Sequence, residues 1–136
     1  MQKKFLKTAA VLGALSVILG AFGAHALKQL ISDKNLQTFE TGVRYQFYHV
    51  IALFITGILY KDFTNNYLQW AGRLFCLGIL LFSGSLYLLS FIELTNMSGL
   101  KWVGAITPVG GVCFITGWLL LALGIPKKKL IGYCPL

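Results

Sequence analysis

Charge interrupts this chain so rarely that four long uncharged runs remain, at residues 8–27, 45–60, 74–92 and 102–126. A helix rises about 1.5 Å per residue and needs about 20 apolar residues to cross a bilayer's hydrocarbon core. The first, third and fourth runs reach that length. The second has 16 residues and crosses only if Arg44 or Lys61 carries its charge back to the headgroups on its long stem. Strands fit poorly, because the runs lack the alternating polar positions of a membrane barrel.

Composition closes the other options. Hydrophobic residues make up 57% of the 136 residues and charged ones 12%, about half the charged share of a soluble domain. A soluble chain this short keeps too much surface exposed to hide that apolar content, and disorder needs the opposite balance. A soluble enzyme is therefore excluded. The reading is an all-α membrane protein: four transmembrane helices in an up-down bundle forming a single domain over residues 1–136. The spans are expected at about 8–27, 44–61, 70–92 and 102–125, with a tail at 126–136.

The connections differ in character. Residues 61–70 read as a tight turn with Thr64, Asn65 or Asn66 as a helix N-cap, and 93–101 as another. The stretch 28–43 is longer. Leu36, Phe39, Val43 and Phe47 recur there at helical spacing, and Glu40 and Arg44 stand four apart as an ion-pair candidate. An amphipathic helix is expected, starting near Ser32 or Asp33 and either lying in the interface or running into the second span, with Gly42 as a bend.

The net charge of +8 would suggest nucleic acid in a soluble protein. Here Lys3, Lys4, Lys7, Lys127, Lys128 and Lys129 flank apolar blocks, where they meet lipid headgroups instead. Eight basic residues fall on the N-terminus, second connection and C-terminus, against four on the other two connections. The positive-inside rule then puts both termini in the cytoplasm of a multi-pass cell-membrane protein. Tyr60, Phe63, Tyr67 and Trp70 form the expected inner aromatic belt, with Tyr45, Tyr48 and Trp102 near the outer one. Basic residues at 3–7 and the triplet Ala24-His25-Ala26 also match a cleavable signal, although a 20-residue run is long for one. Ser16, Gly20 and Ala24 instead make a small-residue ridge for packing on a neighbouring helix.

Five segments now stand together: GAFGAHAL at 20–27, YQFYH at 45–49, FSGSLYL at 82–88, GAITPVGG at 104–111, and Gly117 with Trp118. In this order they resemble the hallmark segments of a small membrane-protein family known as domain of unknown function 423, whose eukaryotic relatives are called transmembrane protein 256. The resemblance implies a four-helix membrane protein, in the cytoplasmic membrane if the source is bacterial. It implies no reaction, and it leaves out residues 130–136.

Depth organises the polar residues. Counted along each span, His25, Tyr45, Gln46, His49, Ser85, Tyr87, Ser90 and Thr107 fall in the outer half, while the inner half is mainly Leu, Ile, Val and Phe. Polar groups at membrane depth must face one another. They form either inter-helix hydrogen bonds that hold the bundle or a shallow polar pocket for a lipid headgroup, small amphiphile or proton. Pro108 adds an acceptor by freeing a carbonyl near Gly104. His25 and His49 lie on consecutive helices, but two ligands do not make a metal or haem site, so no metal and no cofactor is expected. Cys76, Cys113 and Cys134 differ in depth and form no CxxC. Gly104, Gly110 and Gly111, like the glycines of spans one and three, read as helix-packing positions.

These features favour a non-enzymatic bundle that binds lipid or another hydrophobic ligand, or supports a complex. Its expected partners are membrane lipid, a second copy of the chain or another membrane protein, and not nucleic acid. The alternative is a small transporter or channel subunit with proton handling by His25 and His49. A membrane enzyme ranks last, because no span holds an acid and neither HExxH nor GxSxG occurs.

Overall fold

The computed structural model describes residues 1–95 and 98–125, and the expected tail at 126–136, with Lys127, Lys128, Lys129 and Cys134, lies outside them. The turn expected at 93–101 includes Asn96 and Met97, which also lie outside the described residues. The elements are α1 (Gln2–His25), a 3-10 turn (Leu27–Gln29), α2 (Asp33–Asp62), α3 (Asn66–Gly78), a π-turn (Ile79–Ser83), α4 (Gly84–Thr95), a 3-10 stretch (Ser98–Ala105) and α5 (Ile106–Gly124). No strand occurs among the described residues. Four helical rods are long and apolar enough to cross a membrane: Gln2–Gln29, Asp33–Asp62, Asn66–Ile92 and Trp102–Gly124.

Consecutive rods run antiparallel. Phe5, at the start of α1, stacks edge-on against Tyr60 at the end of α2, and Phe22, at the other end of α1, meets Phe39 near the start of α2. Leu68, early in α3, lies against Gly124 at the end of α5. The outer surface carries Val11, Val17, Ile18, Leu80, Val112, Ile115, Leu119 and Leu123, all exposed. So continuous an apolar exterior is ruinous in water and ordinary in hydrocarbon.

The chain reaches these lengths by running helix past its uncharged runs. In α2 the helix begins at Asp33, so the amphipathic stretch continues directly into the second span. Gly42 produces no break; it is buried, and a Cβ there would come within 2.8 Å of the Tyr87 ring. Glu40 and Arg44 are exposed on this helix and make no ion pair with each other among the described residues.

At the sharp turn after α2, Asn65 joins two helix ends. Its side-chain oxygen accepts from the Leu68 N–H at 3.0 Å and caps α3. Its amide nitrogen donates to the Gly124 carbonyl at 2.9 Å, satisfying an acceptor at the end of α5.

Glycines set the register of both outer helices. In α5, Gly110, Gly117 and Gly124 are seven residues apart and face Phe82, Phe75 and Leu68, themselves seven apart on the antiparallel third rod. Reciprocally, Gly78 receives the ring of Phe114. Gly13 and Gly20 of α1 meet Val50 and Val43 of α2, and Gly57 of α2 meets Leu6 of α1. A seven-residue repeat keeps one face turned toward a neighbouring helix, and missing Cβ atoms let the backbones close. This corrects one expected packing position. Ala24 is exposed, and Gly23 takes its place against Phe39. A Cβ on Gly104 or Gly111 would meet its nearest neighbour only at 3.8 or 3.9 Å, so neither position demands glycine.

Phe5, Ala9, Leu53, Leu68, Ala71, Phe75 and Leu121 form the centre of the apolar core. It occupies the half of the molecule that holds Met1 and Gly124. Ser83, Ser85 and Ser90, all buried, lie in the other half, and Gln46, also buried, lies near the middle.

Candidate functional site

The polar residues form three separate ties between rods. Gln46 is the first. Its amide nitrogen donates to the Leu12 carbonyl of α1 at 3.1 Å, and its oxygen accepts from the Tyr87 hydroxyl of α4 at 2.8 Å. The carbonyl can only accept, which fixes the orientation of the amide. Ser16 donates to the same Leu12 carbonyl at 2.8 Å, so one acceptor gathers α1 and α2. Gln46 is 2% exposed, and the bond from Tyr87 brings α4 into the same tie.

His49 makes the second tie. Its Nδ1 lies 2.7 Å from the Tyr45 carbonyl one turn earlier, and its Nε2 lies 3.3 Å from the Trp118 indole N–H of α5. A carbonyl requires a donor and an indole N–H requires an acceptor, so the ring is the neutral Nδ1–H tautomer. The imidazole stacks on Phe114, with centroids 3.4 Å apart and planes within 8°. Phe75 and Tyr45 lie near its other sides. With both ring nitrogens engaged and aromatic rings around it, His49 has no free lone pair for a ligand.

Ser85 of α4 and Thr107 of α5 make the third, 2.7 Å apart, with Ser85 also 2.9 Å from the Phe82 carbonyl. Thus Gln46 meets Tyr87, His49 meets Tyr45 and Trp118, and Ser85 meets Thr107. Ser90 bonds back to Leu86 within its own helix. His25 joins none of them; it is exposed at the end of α1, because α1 touches its neighbour along a narrow glycine-lined stripe and His25 lies off it. Pro108 sits in the first turn of α5, where a missing N–H costs little.

Among the described residues no three His, Cys, Asp or Glu side chains gather to hold a metal. Cys76 and Cys113 are free thiols. Sequence reasoning missed Trp118 as a partner of His49, and it missed the π-turn. The turn has a visible neighbour: Gly110 presses its backbone against that of Phe82, and Ser83, fully buried in the same turn, leaves its hydroxyl without a partner among the described residues.

One concavity adjoins two of these ties. A lateral groove of about 570 Å³ runs along α4 and the start of the fourth rod. Leu80, Gly84, Leu88, Trp102, Val103 and Ile106 line it, with Ser85 and Tyr87 at its floor. At Gly84 the space where a Cβ would project is open, with no atom within 4 Å.

Comparison with known proteins now adds kinship. The family model DUF423, described as a protein of unknown function, matches residues 19–111. A UPF0382 membrane protein of Staphylococcus haemolyticus is 42% identical over 96% of this chain and all of its own length. The UPF0382 membrane protein YwdK of Bacillus subtilis is 42% identical over 93% of this chain and 98% of its own. The UPF0382 inner membrane protein YgdD of Escherichia coli is 36% identical, covering 91% of this chain and 90% of its own length. No solved structure matches.

Proposed function

This chain belongs to the UPF0382 family of membrane proteins, those of unknown function matched by DUF423, and we propose that it acts as a non-enzymatic, lipid-binding four-helix bundle. The observation that carries this reading is the groove along α4. It is lined almost wholly by carbon, opens sideways where a spanning rod faces hydrocarbon, and ends beside the exposed indole of Trp102. An acyl chain fits such a surface, and indoles favour the level where chains meet headgroups. The polar side chains serve cohesion: Gln46, His49 and Ser85 tie rods together, leaving little for proton relay or bond breaking. In this reading the protein lies in the cell membrane with both termini cytoplasmic. The groove and the Ser85–Thr107 tie lie in the outer half, and the Gln46 and His49 ties lie near the middle of the membrane. The orientation rests on the eight-to-four division of basic residues.

Gly84→Leu tests the reading. The first carbon it adds meets nothing within 4 Å, so the side chain projects into the groove, and circular dichroism checks that the variant folds. Lipid retained through gentle detergent purification and counted by native mass spectrometry falls in the variant if the groove holds a chain. Equal retention by both proteins overturns the reading.

A further inference from the structure

We propose that the seam between α1 and α2 is a second lipid site, one that reads the headgroup of a zwitterionic phospholipid bearing a primary amine. Two grooves meet there. One, of about 290 Å³, is lined by Gly20, Gly23, Phe39, Glu40, Val43 and Arg44. The other, of about 230 Å³, is lined by Ser16, Val17, Val43, Arg44, Phe47 and Tyr48. Val43 and Arg44 belong to both, so the two grooves adjoin at these residues and mark one path along the seam. Gly20 carries no side chain to narrow it.

The order of chemistry along this path matches the order of groups in such a lipid. Glu40 lies nearest the end of the rod. Arg44 follows four residues further in, about 6 Å along the axis. Beyond Arg44 the lining turns apolar and aromatic, with Val17, Phe47 and Tyr48. The ammonium is the outermost group of the lipid, the phosphate follows after a two-carbon link, and the acyl chains run inward. Glu40 accepts from the ammonium, the Arg44 guanidinium donates its paired N–H groups to the phosphate, and the chains lie over Val43 and Phe47.

The two charges are free to do this. Both side chains are exposed, and among the described residues neither forms an ion pair, although their spacing suits a mutual bridge. A lipid phosphate alone would be met by Arg44 but repelled by Glu40, and a choline headgroup offers Glu40 no N–H. An ethanolamine headgroup satisfies both. The inference extends the lipid-binding reading to a different surface, so the two stand or fall separately.

The experiment titrates the purified full chain with phosphatidylethanolamine, phosphatidylcholine and phosphatidylglycerol in native mass spectrometry. Wild type, Glu40→Gln, Arg44→Gln and Gly84→Leu are compared. Phosphatidylethanolamine binds the wild type most tightly. Arg44→Gln weakens it about tenfold, the worth of one charge-assisted hydrogen bond. Glu40→Gln removes the preference over phosphatidylcholine and raises phosphatidylglycerol binding. Both positions are exposed, so these variants keep the fold, checked by circular dichroism. The seam proposal is overturned if phosphatidylethanolamine shows no preference in the wild type, or if Glu40→Gln and Arg44→Gln leave it unchanged. Loss of lipid in Gly84→Leu alone would leave the α4 groove standing and remove the seam. Altered headgroup preference in the charge variants, with normal retention in Gly84→Leu, would do the reverse.

Discussion

Two glycine-to-alanine substitutions on neighbouring rods should change stability in opposite directions. At Gly110 an added Cβ would come within 2.8 Å of both Cα and Cβ of Phe82, and closer still to its backbone nitrogen. Backbone cannot turn aside as a side-chain tip can, so α5 must shift away from the third rod and loosen the glycine register below it. Overpacking costs about 1–3 kcal/mol, and a contact with backbone takes the upper part of that range, about 2–3 kcal/mol. The gain in helix propensity returns at most about 1 kcal/mol, so Gly110→Ala is destabilising by about 1–2 kcal/mol. At Gly84 the same methyl meets nothing within 4 Å, and only the propensity term acts, making Gly84→Ala stabilising by up to about 1 kcal/mol. Reversible unfolding in mixed micelles, followed by circular dichroism, measures both on one scale. A neutral Gly110→Ala, or shifts of the same sign at the two sites, would refute the packing register.

Two further outcomes follow from the ties and the charge pattern. Gln46→Leu should destabilise by about 1–3 kcal/mol, because it leaves the half-buried Tyr87 hydroxyl without its acceptor. A double-mutant cycle with Tyr87→Phe should show coupling near the roughly 0.6 kcal/mol average for polar contacts in membranes, whereas strict additivity would mean that the bond does not form. Reporter fusions at Asn65 and after Gly124 should report cytoplasm and insertions at Asp33 the outside; the opposite pattern would reverse the orientation.

Four long apolar helices were legible because charge is costly in hydrocarbon, so Lys, Arg, Asp and Glu leave four long uncharged runs between them. Asn65 was legible as one of three cap candidates because an N-cap needs only local chemistry. The true length of α2 was less so: its uncharged run is 16 residues but the helix has 30, since Glu40 and Arg44 stay on its exposed side and do not stop it. Depth along a rod can be counted from the sequence, but the direction a residue faces depends on neighbours. His25 and His49 count to similar depths within their uncharged runs, yet α1 and α2 pair Gly23 with Phe39 and Gly13 with Val50. His25 is therefore exposed near the rod ends, and His49 is stacked between rings well inside. Gly110, Gly117 and Gly124 did carry their register in plain spacing, but seven-residue intervals escape a search for small residues four apart. The π-turn has no local signal in Ile-Leu-Leu-Phe-Ser; it coincides with a backbone contact made by Gly110, far away in the chain.

The most direct test of the lipid-binding account is a density map of the protein reconstituted in a nanodisc of native lipid extract. The account predicts a continuous rod of density in the α4 groove, running from Leu80 past the open space at Gly84 to Trp102, with the His49 ring still bonded to Trp118 and bearing no ligand. A groove closed by protein, or ligand density seated on His49 in place of the Trp118 contact, would contradict it.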